Sequence, residues 1–189
     1  MPVGPLSLND EVGVDLGLKI LRATKAQLGE TAIVPQQEQL LTTLVDKEGR
    51  LGRKNRKGFY DYPEGGQKHL WPGLRDLQEK HVEPELVDMQ ELKQRLLVTQ
   101  ALEAARTVEE GVITDPREAD VGSILGFGFA PYTGGALSYI DFMGAKTFVE
   151  LCQSLQAKHG DRFAPPKILL DMASSGGTFY GRAGAKKAA

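Results

Sequence analysis

The sequence predicts an all-α fold made of two unequal helical halves. Apolar residues recur at spacings of three and four in several segments, which is the period of an amphipathic helix. Proline and glycine stand at the ends of these segments, where helices typically begin and end. No segment alternates apolar and polar residues as a half-buried strand would, so we expect no strand pairs.

Two helices can be placed in the first half, residues 1–63. Asp10 is the expected N-cap of the first helix, because its carboxylate can accept the free N–H groups of a first turn. That helix ends at Gly29, and its apolar face consists of Leu16, Ile20, Ala23 and Ala26. Pro35 opens the second helix, which runs to about residue 45.

Residues 64–83 separate the halves as a predicted linker loop, because Gly, Pro and charged residues alternate there without a helical period. Residues 181–189 are predicted to be a tail, and the chain looks like a tail from Ser174 onward. These boundaries leave residues 84–180 as the second helical module.

The second module begins with the longest predicted helix, roughly residues 84–110, whose apolar stripe is wide enough to contact more than one neighbour. Asp115 is the expected cap of a helix that Gly126 ends. A Gly- and aromatic-rich loop leads to a helix over residues 145–159. Pro165 and Pro166 start a last short helix.

Composition excludes several classes of protein. The chain has 189 residues, 41% of them hydrophobic and 25% charged, with a formal net charge of -2. It is therefore neither disordered nor broadly basic, and we expect no nucleic-acid partner. Cys152 has no disulfide partner, no metal-ligand spacing is present, and no apolar run approaches the ~20 residues that span a bilayer. The first residues lack a signal peptide pattern, so we expect a cytoplasmic protein.

A short internal repeat links the two halves. The segment from Gly4 to Gly13 aligns without gaps on the segment from Gly135 to Gly144, with Gly, Leu, Ser, Asp and Gly identical at five of ten positions. The alternative is that both are merely capped helix starts with similar turn chemistry. If the repeat is real, the chain is expected to begin inside its first copy, as a fragment of a larger protein would.

Residues 3–15 resemble the start of a C-terminal module of the 3-hydroxyacyl-CoA dehydrogenase family. Residues 49–62, with the run Lys57-Gly58-Phe59-Tyr60, resemble the end of that module. The features similar to a second such module are Glu109-Glu110-Gly111, Asp115-Pro116 with Glu118-Ala119-Asp120, Gly126-Phe127-Gly128-Phe129 and Gly134-Gly135. Two modules in tandem are typical of the multifunctional fatty-acid oxidation complex α subunit.

The resemblance implies a helical domain like the C-terminal domain of 6-phosphogluconate dehydrogenase. It also implies a parent protein that oxidises 3-hydroxyacyl-CoA to 3-ketoacyl-CoA with NAD, in which this region encloses acyl-CoA and carries subunit contacts. The implied partners are the dinucleotide-binding domain of the parent, the acyl-CoA substrate, a second copy in a homodimer, and a thiolase β subunit. The competing hypothesis is a freestanding helical dimerisation or scaffold module without catalysis.

The sequence departs from the family at its catalytic parts. Gly126-Phe127-Gly128 follows a helix, whereas a dinucleotide turn joins a strand to a helix. The family's His–Glu pair belongs to the dinucleotide domain, and His69, His81 and His159 offer no substitute. By resemblance, the family's active-site Asn belongs to the helix before the first glycine loop, which is expected to be missing here, and Gln94 stands at the equivalent place of the second copy. We therefore expect no catalytic residue, no bound NAD and no activity in this chain alone.

The candidate binding residues are cationic and apolar. The cluster of Arg50, Arg53, Lys54, Arg56 and Lys57 suits the phosphates of coenzyme A, with Arg53, Lys54 and Lys57 as the proposed contacts. The alternative is a solvated loop with no ligand.

Val3, Pro5 and Leu8 would, by resemblance, line the path of the acyl chain, or else form ordinary core. Phe59, Tyr60 and Tyr62 are interpreted as packing anchors, and Cys152 as a buried hydrophobe.

Overall fold

A computed structural model describes residues 3–77 and 82–181 of the chain. Its described residues are mainly helical, which confirms the predicted all-α class. Within these two stretches no helix is long and apolar enough to cross a membrane. The α-helices are α1 (Pro5–Val12), α2 (Val14–Leu28), α3 (Pro35–Thr42), α4 (Met89–Glu109), α5 (Pro116–Phe127), α6 (Ala136–Met143), α7 (Ala145–His159) and α8 (Lys167–Ser175).

A short antiparallel strand pair contradicts one prediction. Strand β1 (Tyr60–Asp61) pairs with β2 (His69–Leu70), with Tyr60 opposite Leu70. The expectation of no strand pairs is therefore wrong here. Each strand has only two residues, which is too short to show the alternation that identifies a strand in a sequence.

Residues 2–85 form one compact unit, called here the N-terminal unit. Helices α1, α2 and α3 surround a small core, and a π-helical turn (Thr43–Lys47) follows α3. Trp71, Leu74 and Leu77 pack against that core from beyond β2. The buried core residues are Val14, Leu18, Leu21, Leu41, Leu44 and Phe59.

The other compact unit begins at Leu86 and is called here the C-terminal unit. Its long helix α4 packs against α6 and α8. Asp88 caps α4, and Asp115 caps α5 as predicted. The core is buried between these helices and comprises Val98, Ala101, Leu102, Ala105, Phe129, Ala136, Leu137, Tyr139, Ile140, Phe148, Val149, Cys152, Leu155, Phe163 and Leu169.

The two units share one helical arrangement, which confirms the predicted repeat. Helices α1 and α2 have the same lengths as α6 and α7, and a 3-10 turn follows in both units, Glu30–Ala32 and Asp161–Phe163. These elements align at a constant offset of 131 residues, and α3 lies within two residues of α8 at that offset. The junction glycines Gly13 and Gly144 have φ of 107° and 84°, values that side-chain-bearing residues rarely adopt. Similar capping alone does not explain this agreement.

Two predicted boundaries are wrong. Asp10 is not an N-cap, because α1 begins at Pro5 and the chain bends at Gly13, so the predicted single helix is two helices. Residues 174–179 are not a tail, because α8 continues to Ser175 and Phe179 packs against the core of the C-terminal unit. In both places the sequence pattern missed hydrogen bonds between residues far apart in the chain, which join Asp10 to Phe59 and Asp141 to Phe179. The division into residues 1–63, 64–83, 84–180 and 181–189 stays a prediction.

Candidate functional site

The carboxylate of Asp10 joins α1 to the segment that closes the N-terminal unit. Asp10 is 1% exposed and accepts hydrogen bonds from the backbone N–H of Phe59 (2.7 Å) and of Tyr60 (2.9 Å). The Tyr62 hydroxyl donates a third bond at 3.0 Å, and burial together with this carboxylate raises the pKa of Tyr62. A Cβ atom at Gly58 would lie 2.0 Å from Asp10 Oδ1, so only glycine fits there. The Lys-Gly-Phe-Tyr run is thus a backbone anchor.

Arg50 is a structural residue within the basic cluster. It is 5% exposed and donates to the carbonyl oxygen of Gly58 (2.7 Å) and to the carboxylate of Asp61 (2.5 Å). Its guanidinium lies 4.3 Å from the centre of the Trp71 ring, a cation–π contact. These contacts occupy Arg50, so the surface charge of the cluster comes from its other members.

The predicted coenzyme A contacts are exposed on or beside one 3-10 turn, Arg53–Asn55. Arg53 pairs with Glu11 at 2.5 Å, and Lys54 pairs with Asp15, whose pKa is lowered by that hydrogen bond. Among the described residues no carboxylate lies within 4 Å of Lys57. A phosphate approaching this turn would therefore find one unpaired cation and two that already have partners.

The predicted acyl-lining residues lie at the start of α1. Val3 is 41% exposed, Leu8 is 42% exposed, and Pro5 is exposed at the first helical position. Pro5 and Leu8 are three residues apart and share a helix face. Along the helix axis, Pro5 lies about 9 Å and Leu8 about 4.5 Å from Glu11, which pairs with Arg53 of the cationic turn.

A second carboxylate anchor exists in the C-terminal unit, and sequence reasoning missed it. Asp120, which is 4% exposed, accepts from the backbone N–H of Leu137 (2.7 Å) and from the hydroxyls of Ser138 (2.5 Å) and Tyr180 (2.6 Å). Burial and this bond raise the pKa of Tyr180 to about 12. The carboxylate of Asp120, on α5, thus accepts hydrogen bonds from the first turn of α6.

Asp141, the repeat equivalent of Asp10, accepts from the backbone N–H groups of Phe179 (3.0 Å) and Tyr180 (3.1 Å). Phe59-Tyr60 and Phe179-Tyr180 are therefore the same closing element in the two units. The shared Phe-Tyr pair was the sequence signal that could have extended the repeat to this point.

A cleft of about 480 Å³ lies between α4 and α5 in the C-terminal unit. This volume is within the range of small-molecule sites, and the walls are mainly apolar. The cleft has Glu103 and Glu118 on its lining, so it suits an uncharged apolar group better than an anion. Its apolar lining residues are Ala104, Val112, Ile113, Ala119 and Phe127.

The described residues do not assemble a catalytic group. Burial raises the pKa of the Cys152 thiol to about 12, which makes it a poor nucleophile. His159 pairs with Glu91 at 2.9 Å, a contact that the sequence did not predict, but neither residue lines a cleft described here. His69 is exposed beside Asp61, and His81 lies outside the described residues. No group of three potential metal ligands occurs within the described stretches.

The described residues also do not fit NAD. Gly128 ends α5 in the left-handed conformation, so Gly126-Phe127-Gly128 is a helix C-terminus and not a strand-to-helix turn. Gln94 lies in α4.

Comparison with known proteins shows first a similar fold and then a similar family. The 3-hydroxybutyryl-CoA dehydrogenase of Escherichia coli K12 has a similar fold and aligns with a TM-score of 0.58 at 17% identity, covering 92% of this chain and 52% of that protein. Residues 1–62 match the family model of the 3-hydroxyacyl-CoA dehydrogenase C-terminal domain. The resemblance stated from the sequence is thereby confirmed.

Relatives extend the match across both units. The chain is 40% identical over 187 residues to the fatty acid oxidation complex subunit alpha of Shewanella amazonensis. It is also 40% identical over 179 residues to the same subunit of Vibrio parahaemolyticus. Each alignment covers 95% of this chain but only 25% of the relative. The chain therefore spans about a quarter of the length of these relatives.

Proposed function

We propose that this chain is the C-terminal helical region of a 3-hydroxyacyl-CoA dehydrogenase of fatty-acid β-oxidation. The observation that carries the proposal is the alignment of 95% of the chain, both repeat copies included, with one quarter of fatty acid oxidation complex alpha subunits. The parent reaction would be the NAD-dependent oxidation of 3-hydroxyacyl-CoA to 3-ketoacyl-CoA. NAD would bind to a dinucleotide-binding domain of the parent, because the described residues of this chain do not fit it.

The contribution of this region would be to bind and enclose the acyl-CoA. The exposed apolar surface of Val3, Pro5 and Leu8 suits an acyl chain, since each buried CH₂ group stabilises by ~0.8 kcal/mol. Lys57, with Arg53 and Lys54 beside it, suits the phosphates of coenzyme A. Subunit contacts, a homodimer, a thiolase β subunit and a cytoplasmic location are further parts of the proposal. The relatives' name, subunit alpha of a complex, supports the subunit contacts among these.

Titration of the full chain with acetoacetyl-CoA tests the binding proposal. Lys57→Glu should weaken binding about fivefold at low salt, because a phosphate would then face a like charge, and added salt should reduce this effect. Lys47→Glu is the matched control, since Lys47 is also an exposed lysine but lies outside the turn. Equal dissociation constants for the two variants would contradict the phosphate contact.

An activity assay tests the assignment of catalysis to the rest of the parent. With acetoacetyl-CoA and NADH, the purified chain should show no turnover, because the described residues lack an acid–base pair in a cleft. Turnover at rates expected of a dehydrogenase would contradict the proposal that the active site lies elsewhere in the parent.

A further inference from the structure

The cleft between α4 and α5 of the C-terminal unit has no role in the proposed function. Both helices pack against α6 and leave a space of about 480 Å³ between them. On α4 the lining residues recur at spacings of three and four from Gln100 to Thr107, so one face of that helix forms a wall about 10 Å long. The turn after α4 contributes Val112 and Ile113. A cleft of this length and volume fits one small molecule.

The polar side chains on the walls already have hydrogen-bond partners within the protein. Gln100 and Thr107 each donate to a carbonyl oxygen of their own helix at 2.7 Å. Ser123 is 2% exposed, and its hydroxyl both donates and accepts a bond with a backbone group. The walls therefore offer a ligand mainly apolar contact. Such a ligand also covers Val112 and Phe127, which are 69% and 48% exposed.

The charges around the cleft select the head group of a ligand. Of the described residues that line it, two are glutamates, Glu103 and Glu118, and none is basic. Glu103 pairs with Arg106 at 2.8 Å, whereas no cation of the described residues lies within 4 Å of the Glu118 carboxylate. The segment 103–118 carries five carboxylates and two guanidinium groups, a net charge of -3. The electrostatic field at the cleft thus attracts a cation and repels an anion.

We propose that this cleft binds a small amphiphile that has an alkyl chain and an ammonium head group. The chain lies along the apolar wall of α4, and the head group lies beside Glu118. A Cβ atom at Gly122, on the wall that α5 provides, would meet nothing within 4 Å, so the space there is open to the chain. An acyl-CoA does not suit this cleft, because its phosphates would face the acidic segment. The proposal does not rest on the proposed function.

Isothermal titration calorimetry of the full chain tests the proposal. The probe is decyltrimethylammonium, kept below its micelle concentration, and it should bind saturably with one molecule per chain. Decanoate has a similar alkyl chain and an anionic head group, so it should bind at least about tenfold more weakly. No saturable binding of the cation, or binding of decanoate with equal affinity, would overturn the proposal.

Two glycine substitutions on α5 separate the cleft from the rest of the surface. Gly122→Leu fills the cleft and should weaken binding of decyltrimethylammonium at least about tenfold. Gly126→Leu is the matched control, because a Cβ atom there also meets nothing within 4 Å but Gly126 does not line the cleft. Leu is a better helix former than Gly, so both variants should fold, which circular dichroism checks. Equal affinities of the two variants would place the probe elsewhere on the acidic surface and overturn the proposal.

A second pair of variants tests the head group. Glu118→Gln should weaken binding of decyltrimethylammonium about threefold and strengthen binding of decanoate, and added salt should reduce both effects. Glu110→Gln is the matched control, since Glu110 is also exposed but does not line the cleft. Equal effects of the two substitutions would overturn the role of Glu118.

Sedimentation of the chain without a probe distinguishes a second copy of the chain as the occupant. The chain and Gly122→Leu should sediment alike if the cleft takes a small molecule. A dimer that Gly122→Leu dissociates would show that a second copy fills the cleft, and would overturn the proposal.

Discussion

Removing the carboxylate of Asp10 should destabilise the N-terminal unit strongly. In Asp10→Ala, the N–H of Phe59 loses its partner within a buried segment, and a buried hydrogen bond to a charged group is worth about 2 kcal/mol. Tyr60 is half-buried and the Tyr62 hydroxyl can turn to water, so their two bonds add less. The better helix propensity of Ala offsets about 0.5 kcal/mol. The expected net loss is about 3 kcal/mol of unfolding free energy.

Urea unfolding followed by tryptophan fluorescence measures this loss. Trp71 is the sole tryptophan of the chain and packs against the core of the N-terminal unit, so its emission reports that unit. With an m value of about 1.5 kcal/mol per M, the midpoint should fall by about 2 M. Asp10→Asn retains one acceptor and should lie between Asp10→Ala and the unmodified chain.

Glu11→Ala is the control for the Asp10 variant. Glu11 neighbours Asp10 on the same helix but makes an exposed ion pair with Arg53, which is worth at most about 1 kcal/mol. If Asp10→Ala shifts the midpoint no more than Glu11→Ala does, the carboxylate does not anchor the closing segment and the reasoning is refuted.

Three further predictions concern the C-terminal unit. Val98→Asp should lower the free energy of unfolding, measured by circular dichroism, by more than about 4 kcal/mol, because it places an unpaired charge at a fully buried position. Leu96→Asp, at an exposed position of the same helix, should lower it little. Equal losses in the two variants would contradict the packing of α4. Cys152 should resist a thiol reagent at pH 8 until urea unfolds the chain, and rapid labelling of the native protein would contradict its burial. The pKa of Tyr180 is raised to about 12, so its protonated hydroxyl contributes its full stability below pH 10 and loses that contribution as pH rises toward about 12. The urea midpoint should therefore fall over that interval, and it should fall less in Tyr180→Phe.

The features that the sequence predicted correctly are local ones. The cap at Asp115 and the amphipathic periods depend on residues within a few positions of each other, and the ten-residue repeat needed only a direct alignment. Asp10 shows why the rest could not be found in this way. Its partners Phe59 and Tyr60 lie about fifty residues further along the chain, so a local pattern shows only a polar residue near a helix start.

The basic cluster illustrates the same limit at the candidate site. Along the chain, Arg50 resembles its neighbours Arg53 and Lys54. In the folded unit Arg50 is buried against Trp71, whereas the other two face solvent. Their division into structural and surface charges depends on packing that no spacing within the cluster encodes.

The matching anchors of Asp10 and Asp141 also bear on how the two copies diverged. Each carboxylate holds backbone groups of a Phe-Tyr pair, so closure does not depend on the route by which the chain arrives there. The N-terminal copy takes a long route, residues 43–58, and the C-terminal copy a short one, residues 176–178. The cations proposed for coenzyme A all lie in the long route. A difference in the length of this one segment thus gives one copy surface charge that the other lacks, while each copy retains its carboxylate anchor.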